Sequence, residues 1–558
     1  MLVAVMSVAL LALLGRVVQL QALPSNALAP LMGSQQSRFA EYPQRGPLID
    51  LRGRRLASNR VVTRLFADPS LIESPRIFAQ IVGDALGYDP RQVEESILAR
   101  KDRRYVLLDD DLTDAQIDEL SRLRVHGLGT QHWVARDYPQ GPLAGQVLGF
   151  AGREGKGLEG VERSFDRDLA GRPGELAVIR SVKHQTIAIE PDAYRPPEHG
   201  QAIRLTIDTV IQTIAEDELA KACRQYGARH GELVVMDPNT GYILAMANYP
   251  AFDPGEPRGG KPDAWRNRCV TDQFEPGSIF KPFVWAMAVE QGKVRPSDRF
   301  DTTDGGLIVL SSGRRLRDTH GHGRISAEEG LVLSSNILMA LIAERMGDSM
   351  LYQSVHRFGF GQVPGSELPG EAAGTLYPVR KWSKYTKSSI PMGQEIAVTP
   401  LQMMTAFSAI ASDGTMPQPM IRPDAPPTQG PRRVISPDTA ATVRRVLRRA
   451  VTEGTGRKAN SDQYAIFGKT GTAQVPERGR YQPDQYVGSF VGGAPLDDPQ
   501  IVVGCFIHRP DKRKGYYGGI VAAPAAKQVV ERTLTYLGVP PARTTEAQPN
   551  PRLIDLRD

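Results

Sequence analysis

The chain has 558 residues, 41% of them hydrophobic and 23% charged, the composition of a globular protein of several domains, which excludes bulk disorder. Its 68 basic and 62 acidic residues leave a formal net charge of +6, small for this length, and no long basic run is interleaved with aromatics, so nucleic acid is disfavoured as a partner. Cys223, Cys269 and Cys505 are far apart and odd in number; they signal neither a disulfide framework nor a zinc site, and the fold must rest on packing.

The chain opens on MLVAVMSVALLALLGRVVQLQAL, uncharged from Met1 to Gly15 and apolar beyond Arg16 through Val17, Val18, Leu20 and Leu23. The uncharged run is shorter than the roughly 20 residues that cross a bilayer and has the length of a cleaved signal core. The best small-x-small cleavage site, Ala27-Leu28-Ala29, is followed at once by Pro30, which stiffens the bond to be cut. Tilt and a snorkelling Arg16 let residues 2–23 span. An uncleaved membrane anchor over residues 1–24 is therefore expected, with no orientation from flanking charge, because no basic residue precedes the run.

Residues 25–195 read as a mixed α+β module, in which strand-like pieces such as TRLFADP and ELAVIRSV alternate with helical stretches such as LTDAQIDELSRL. Within it GKGLEG (155–160) fits Gly-x-Gly-x-x-Gly, but with no second mononucleotide half a dinucleotide site is set aside. The Pro- and Gly-rich stretch YRPPEHGQA (194–202) marks a boundary. After it a strand leads into a helix with Ile211, Ile214, Ala215, Leu219 and Ala222 on one stripe, and GELVVMDPNTGYILAMANYP then predicts a hairpin around DPNTG. Strands, helices and further strands give an α+β domain over 196–540, followed by a polar, Pro-rich tail, 541–558, expected to be disordered.

Three stretches of this domain carry chemistry together. In FEPGSIFKPF, Pro276 and Gly277 precede a helix that runs to Gly292, and Ser278 and Lys281 share one face a turn apart. Two readings stand side by side: a helix-capping serine, or a nucleophile whose proton a desolvated lysine can take. In SAEEGLVLSSNILMALIAERMG, Ser326 and Glu329 form a capping box and Gly347 closes the following helix, so Ser334, Ser335 and Asn336 interrupt two helical segments. In IFGKTGTAQV, Gly471 lets a substrate approach the backbone of a strand that also bears Lys469, Thr470 and Thr472; strict alternation opposes Lys469 to the threonines, so a twist or an edge position must bring both to one site. The GKT of 468–470 is no phosphate loop, because Gln463 stands where glycine is required, and His320 and His322 lack a third ligand at metal spacing.

Ser-x-x-Lys, Ser-x-Asn and Lys-Thr-Gly in this order are the signature of penicillin-binding proteins and serine β-lactamases. The chain resembles the class B penicillin-binding proteins, the monofunctional peptidoglycan D,D-transpeptidases. RGPLIDLRGRRLA, RDYPQGPLAGQVLGF and GLEGVERSFDRDLAGRPG are similar to their N-terminal module, and LTIDTVIQ, VVMDPNTGYILAMANYPAFDP, NRCVTDQFEPGS, VTPLQMMTAFSAIASDG and GSFVGGAP to their catalytic domain. The resemblance implies an α+β transpeptidase domain, an antiparallel sheet flanked by helices, preceded by a pedestal, or dimerisation-like, module and a membrane anchor.

By the same resemblance Ser278 attacks the carbonyl between the last two D-alanines of a stem peptide, with Lys281 as proton acceptor. Ser334 relays the proton, Asn336 holds Lys281 and the substrate amide, and Lys469 supplies positive field and bonds Ser334. Thr470, Gly471 and Thr472 receive the substrate's terminal carboxylate, and the backbone N–H groups of Ser278 and Thr472 form the oxyanion hole. No cofactor or metal is implied. Implied partners are peptidoglycan stem peptides, β-lactam antibiotics, a membrane-embedded glycosyltransferase and division proteins, with the catalytic domain on the extracytoplasmic side of the cytoplasmic membrane. GSFVGGAP and GYYGGIVAAPAAKQVV resemble the septal branch more than the elongation branch. One departure is Gln394-Glu395 where the family usually has a second glycine. The alternatives are a D,D-carboxypeptidase or β-lactamase, which would need fast deacylation, and a catalytically idle division scaffold.

Overall fold

Asp208 caps the helix Thr209–Tyr226 by accepting from the amides of Val210 and Ile211, and Gly227, at a φ of 60°, ends it in the left-handed conformation. The expected stripe, Ile211, Ile214, Ala215, Leu219 and Ala222, is buried in the largest core cluster. There it meets the strands His230–Met236 and Ile501–His508 and the helix Ala523–Tyr536. The predicted hairpin is present: His230–Met236 pairs antiparallel with Ile243–Tyr249 around the DPNTG turn. The sheet continues through Ile501–His508 and Arg480–Ala494 to Phe467–Glu477 in five antiparallel strands, and this last strand is at the edge.

The inner strands are buried at almost every position, because the second sheet face is covered as well. The helix Pro400–Ala411, all of it buried, lies there, so close that a Cβ on Gly504 would stand 2.3 Å from the Met404 sulfur. The α+β expectation, with an antiparallel sheet flanked by helices, is thus met.

The computed structural model describes residues 2–22, 36–180, 186–189, 194–257, 262–477 and 479–541, so the expected tail lies almost wholly outside the described residues. Two units emerge, neither contiguous in sequence: one draws on 1–47, 61–134 and 167–202, the other on 48–60, 135–166 and the chain from 203 onward. The segments 48–60 and 135–166 thus fold with the sheet unit although they lie within the N-terminal region of the sequence. In that unit Asp50 accepts from the amide and hydroxyl of Thr209, and Arg136 forms an ion pair with Glu162 in which both side chains are buried.

In the first unit the helices Pro75–Leu86, Pro90–Leu98 and Asp114–Arg122 surround a core of Leu65, Phe78, Val82, Leu86, Val93, Ile97 and Leu112, and Thr113 and Gln116 close a capping box. A three-stranded antiparallel sheet, Gln36–Glu41, Gly174–Arg180 and Thr186–Ile189, belongs to the same unit. The expected anchor region forms the helix Leu2–Ala22, whose described side chains, residues 4–19, are all exposed. Its apolar run is broken by Arg16, hydrogen-bonded to Gln19, and among the described residues no helix is long and apolar enough to cross a membrane.

Candidate active site

The segment before the candidate nucleophile is held by backbone. Phe274 exchanges both main-chain hydrogen bonds with Val398, and the Gly277 amide donates to the carbonyl of Gly393 at 3.1 Å. Gly277 has a φ of 59° and Gly393 of 72°; a Cβ on Gly393 would lie 2.3 Å from the Gly277 carbonyl oxygen, so only glycine permits this crossing. A 3-10 turn, Gly277–Phe280, then feeds the helix Lys281–Glu290, with Pro282 in its first turn, where a missing N–H costs nothing. Ser278 makes no capping hydrogen bond and is half-buried, which removes the helix-cap reading.

Lys281, one turn on, is fully buried. Its Nζ donates to the Ser334 carbonyl at 2.5 Å, the Ser334 hydroxyl at 3.2 Å and the Asn336 Oδ1 at 2.7 Å. Burial pulls its amine down to about 7, opposed by the charge of Asp318. Ser334 sits at a φ of 62° in the break between the helices Ala327–Val332 and Asn336–Met346, as the three polar residues led one to expect. That conformation turns both its carbonyl and its hydroxyl toward the amine.

The third stretch comes from the edge strand. Lys469 is 1% exposed, and burial, followed by the Lys281 charge, drives its amine well below the ordinary lysine range, so the two amines share one dry region in which a second proton is held poorly. Gly471 gives the strand room: a Cβ there would stand 2.6 Å from the Ser489 hydroxyl and 3.0 Å from the Pro276 carbonyl. The main chains at Thr472 and at the nucleophile turn are therefore adjacent, a Gly277 Cβ coming within 3.4 Å of the Thr472 carbonyl. The strand stands at the sheet edge, one of the two positions the alternation problem allowed.

One expectation is corrected. Lys469 does not bond Ser334; its Nζ donates to the Thr470 carbonyl at 3.2 Å, and Ser334 is held by Lys281 instead. The threonines are already engaged: the Thr470 and Thr455 hydroxyls are 2.6 Å apart, and the Thr472 hydroxyl accepts from the Gly518 amide at 3.1 Å. A substrate carboxylate there would displace the Thr470–Thr455 bond, while the Thr472 hydroxyl, which accepts from Gly518, keeps its proton to donate. His320 and His322 belong to no metal-like cluster among the described residues.

Sequence reasoning missed Asp318. Its buried carboxylate accepts from the Ser335 hydroxyl and from the amides of Asn336 and Ile337, fixing the start of the helix that carries Asn336. Nothing in the local spacing ties DTHGHG to SSN. Asp318→Asn is expected to slow acylation about 10- to 100-fold, the worth of a buried charge-assisted hydrogen bond. Because the Asp318 charge holds the Lys281 amine up, the variant should also move the midpoint of the pH–rate profile downward, which a stopped-flow acylation series would read.

Glu395 stands where the family resemblance leads one to expect glycine. It keeps the left-handed conformation, at a φ of 57°, and its carboxylate accepts from the Thr386 and Ser389 hydroxyls, both at 2.6 Å. Its amide donates to Glu275, which also accepts from Tyr481 and whose carboxyl is pushed up by burial. Glu395→Gly relieves strain of about 1 kcal/mol and loses two charge-assisted bonds, so a net loss of about 1–3 kcal/mol is expected as a lower Tm.

Residues 231–531 match the family described as the penicillin binding protein transpeptidase domain, and residues 40–205 the penicillin-binding protein dimerisation domain. The chain is 33% identical over 517 residues to Stage V sporulation protein D of Bacillus subtilis, covering 90% of this chain and 79% of that protein. It is 32% identical to the probable peptidoglycan D,D-transpeptidase PenA of Neisseria gonorrhoeae (97% and 93% covered) and 31% identical to the peptidoglycan D,D-transpeptidase FtsI of Escherichia coli (98% and 93%). Among solved structures, penicillin binding protein 3 of Mycobacterium tuberculosis complexed with aztreonam superposes with a TM-score of 0.69 at 28% identity, over 92% of this chain and 100% of that one.

Proposed function

This chain belongs to the class B penicillin-binding proteins, and from that membership we propose that Ser278, Lys281, Ser334, Asn336 and Lys469 carry its reaction. The protein is a serine-type D,D-transpeptidase that crosslinks peptidoglycan and binds β-lactams. In the proposed sequence the Ser278 hydroxyl gives its proton to neutral Lys281 as Oγ bonds to the carbonyl carbon between two D-alanines. The Ser278 and Thr472 amides stabilise the oxyanion, each donor being worth about 3–4 kcal/mol. The proton passes by Ser334 to the leaving nitrogen, the amide C–N bond breaks and D-alanine departs. An amine of a neighbouring stem then attacks the ester and releases Ser278. Asn336 orients Lys281 and the substrate amide, while Thr470, Gly471, Thr472 and the Lys469 field receive the terminal carboxylate.

The observation that carries this reading is the buried Lys281 amine, one helical turn from Ser278, hydrogen-bonded to Ser334 and Asn336 and pulled down to about 7. We further propose residues 1–24 as a single-pass anchor, 25–195 as pedestal and 196–540 as catalytic domain, facing outward from the cytoplasmic membrane. The apolar, exposed Leu2–Ala22 helix supports the anchor, and the side on which peptidoglycan lies supports the orientation. A septal role, with a membrane-embedded glycosyltransferase and division proteins as partners, is supported by similarity to FtsI and PenA. Intact-mass measurement after benzylpenicillin, followed by peptide mapping, tests the site: one stable adduct on the Ser278 peptide is expected. An adduct elsewhere, or turnover with no adduct, would overturn the assignment.

A further inference from the structure

On the sheet behind the nucleophile segment lies a cluster that transpeptidation does not use. His230 and Glu232, two apart on the strand His230–Met236, project from one sheet face, and His508 at the end of Ile501–His508 is paired directly with His230. The Glu232 carboxylate is fully buried, and His508 is buried beside it. His508 Nε2 lies 2.7 Å from Glu232 Oε2, yet without hydrogen-bond geometry; among the described residues both carboxylate oxygens and this ring nitrogen have no hydrogen-bond partner. Arg268, the cation on the adjoining helix, is committed to Asp272 and Asp263. The two imidazoles stack at 4.7 Å, and the Phe274 ring, in the segment leading to Ser278, packs edge-on against His508 at 5.6 Å.

A carboxylate without water or donors requires a positive charge in contact with it. We propose that His230, Glu232 and His508 bind one divalent cation of the zinc class, with a water as fourth ligand on the half-buried His230 side. Two imidazoles and a carboxylate are a donor set that such ions favour. The three donor atoms lie within 4.8 Å of one another. Ligands of a tetrahedral ion at about 2.0–2.2 Å stand roughly 3.5 Å apart, so the cluster takes an ion by a movement of about 1 Å in which His230 closes and the His508–Glu232 pair opens. His230, the first residue of its strand and half-buried, can make it. The ion would be structural, stiffening the sheet on which Phe274 rests. The sequence hid the site because two donors come from one strand and the third from the far end of the domain.

The test uses the full chain in detergent, stripped with chelator and then titrated with zinc and, separately, with cobalt(II). One equivalent of zinc should bind and raise Tm, and cobalt should give the visible absorption of a four-coordinate nitrogen–oxygen site without a thiolate charge-transfer band. Glu232→Gln and His508→Ala should weaken binding more than about 100-fold. Since core variants can unfold, His230→Ala, at the strand end, is the second variant: its metal-free Tm should match the metal-free native chain while its affinity falls at least about 10-fold. No uptake of either metal would overturn the proposal. So would uptake that survives His230→Ala unchanged, or a cobalt spectrum showing thiolate.

Discussion

A Ser278→Ala chain is expected to take up no benzylpenicillin and to form no crosslinks, a loss of about 10⁴-fold or more, while its Tm stays within a degree or two of the native value. The first half follows from chemistry: without Oγ no acyl-enzyme can form, and the oxyanion donors and binding contacts alone sustain only residual catalysis. The second half follows from structure. The Ser278 hydroxyl caps no helix and is half-buried, so its removal opens no cavity and orphans no donor. Gel fluorescence of a labelled penicillin and calorimetry on the same preparation separate the two effects. Labelling that survives in Ser278→Ala would move the nucleophile elsewhere, with Ser334, bonded to the same amine, as the next candidate.

Lys281→Met should cost acylation about 10²- to 10⁴-fold, the usual worth of a positioned base. In the native chain the acylation rate should rise through a pH of about 7, as the buried amine loses its proton, and then level off. Stability follows the same group. Between about 7 and the unfolded value of 10.5 the unfolded chain holds a proton on Lys281 that the folded chain has released, so native stability rises with pH across that window. Methionine removes the dependence together with the burial penalty, and it relieves Lys469 of a neighbouring charge. Paired pH–rate and pH–Tm series on both proteins would show it; a Lys281→Met chain whose stability still rises across that window as the native chain's does would contradict the account.

What the sequence disclosed here is what depends on near neighbours along the chain. The capping box at Ser326 and Glu329, the break at Ser334, the hairpin around DPNTG and the stripe on Thr209–Tyr226 each follow from spacing within a turn or two, and each is found. The partners that tune the site were out of reach. Asp318 meets Asn336 across a loop, Glu275 meets Glu395 and Tyr481 from three separate segments, and the Thr472 hydroxyl meets the Gly518 amide, contacts that only the folded chain creates. The Lys469–Ser334 bond failed for the converse reason. A family signature says which residues share a site, but which amine reaches which hydroxyl depends on strand position and burial, and there Lys281 has the nearer claim.

The strand bearing Lys469 ends the sheet, and among the described residues no sixth strand lies alongside it. Its outer row of peptide groups is thus left to whatever extended chain docks there, read through main-chain atoms common to every residue. Such a border tolerates variation in a ligand's side chains while rejecting ligands that cannot lie straight.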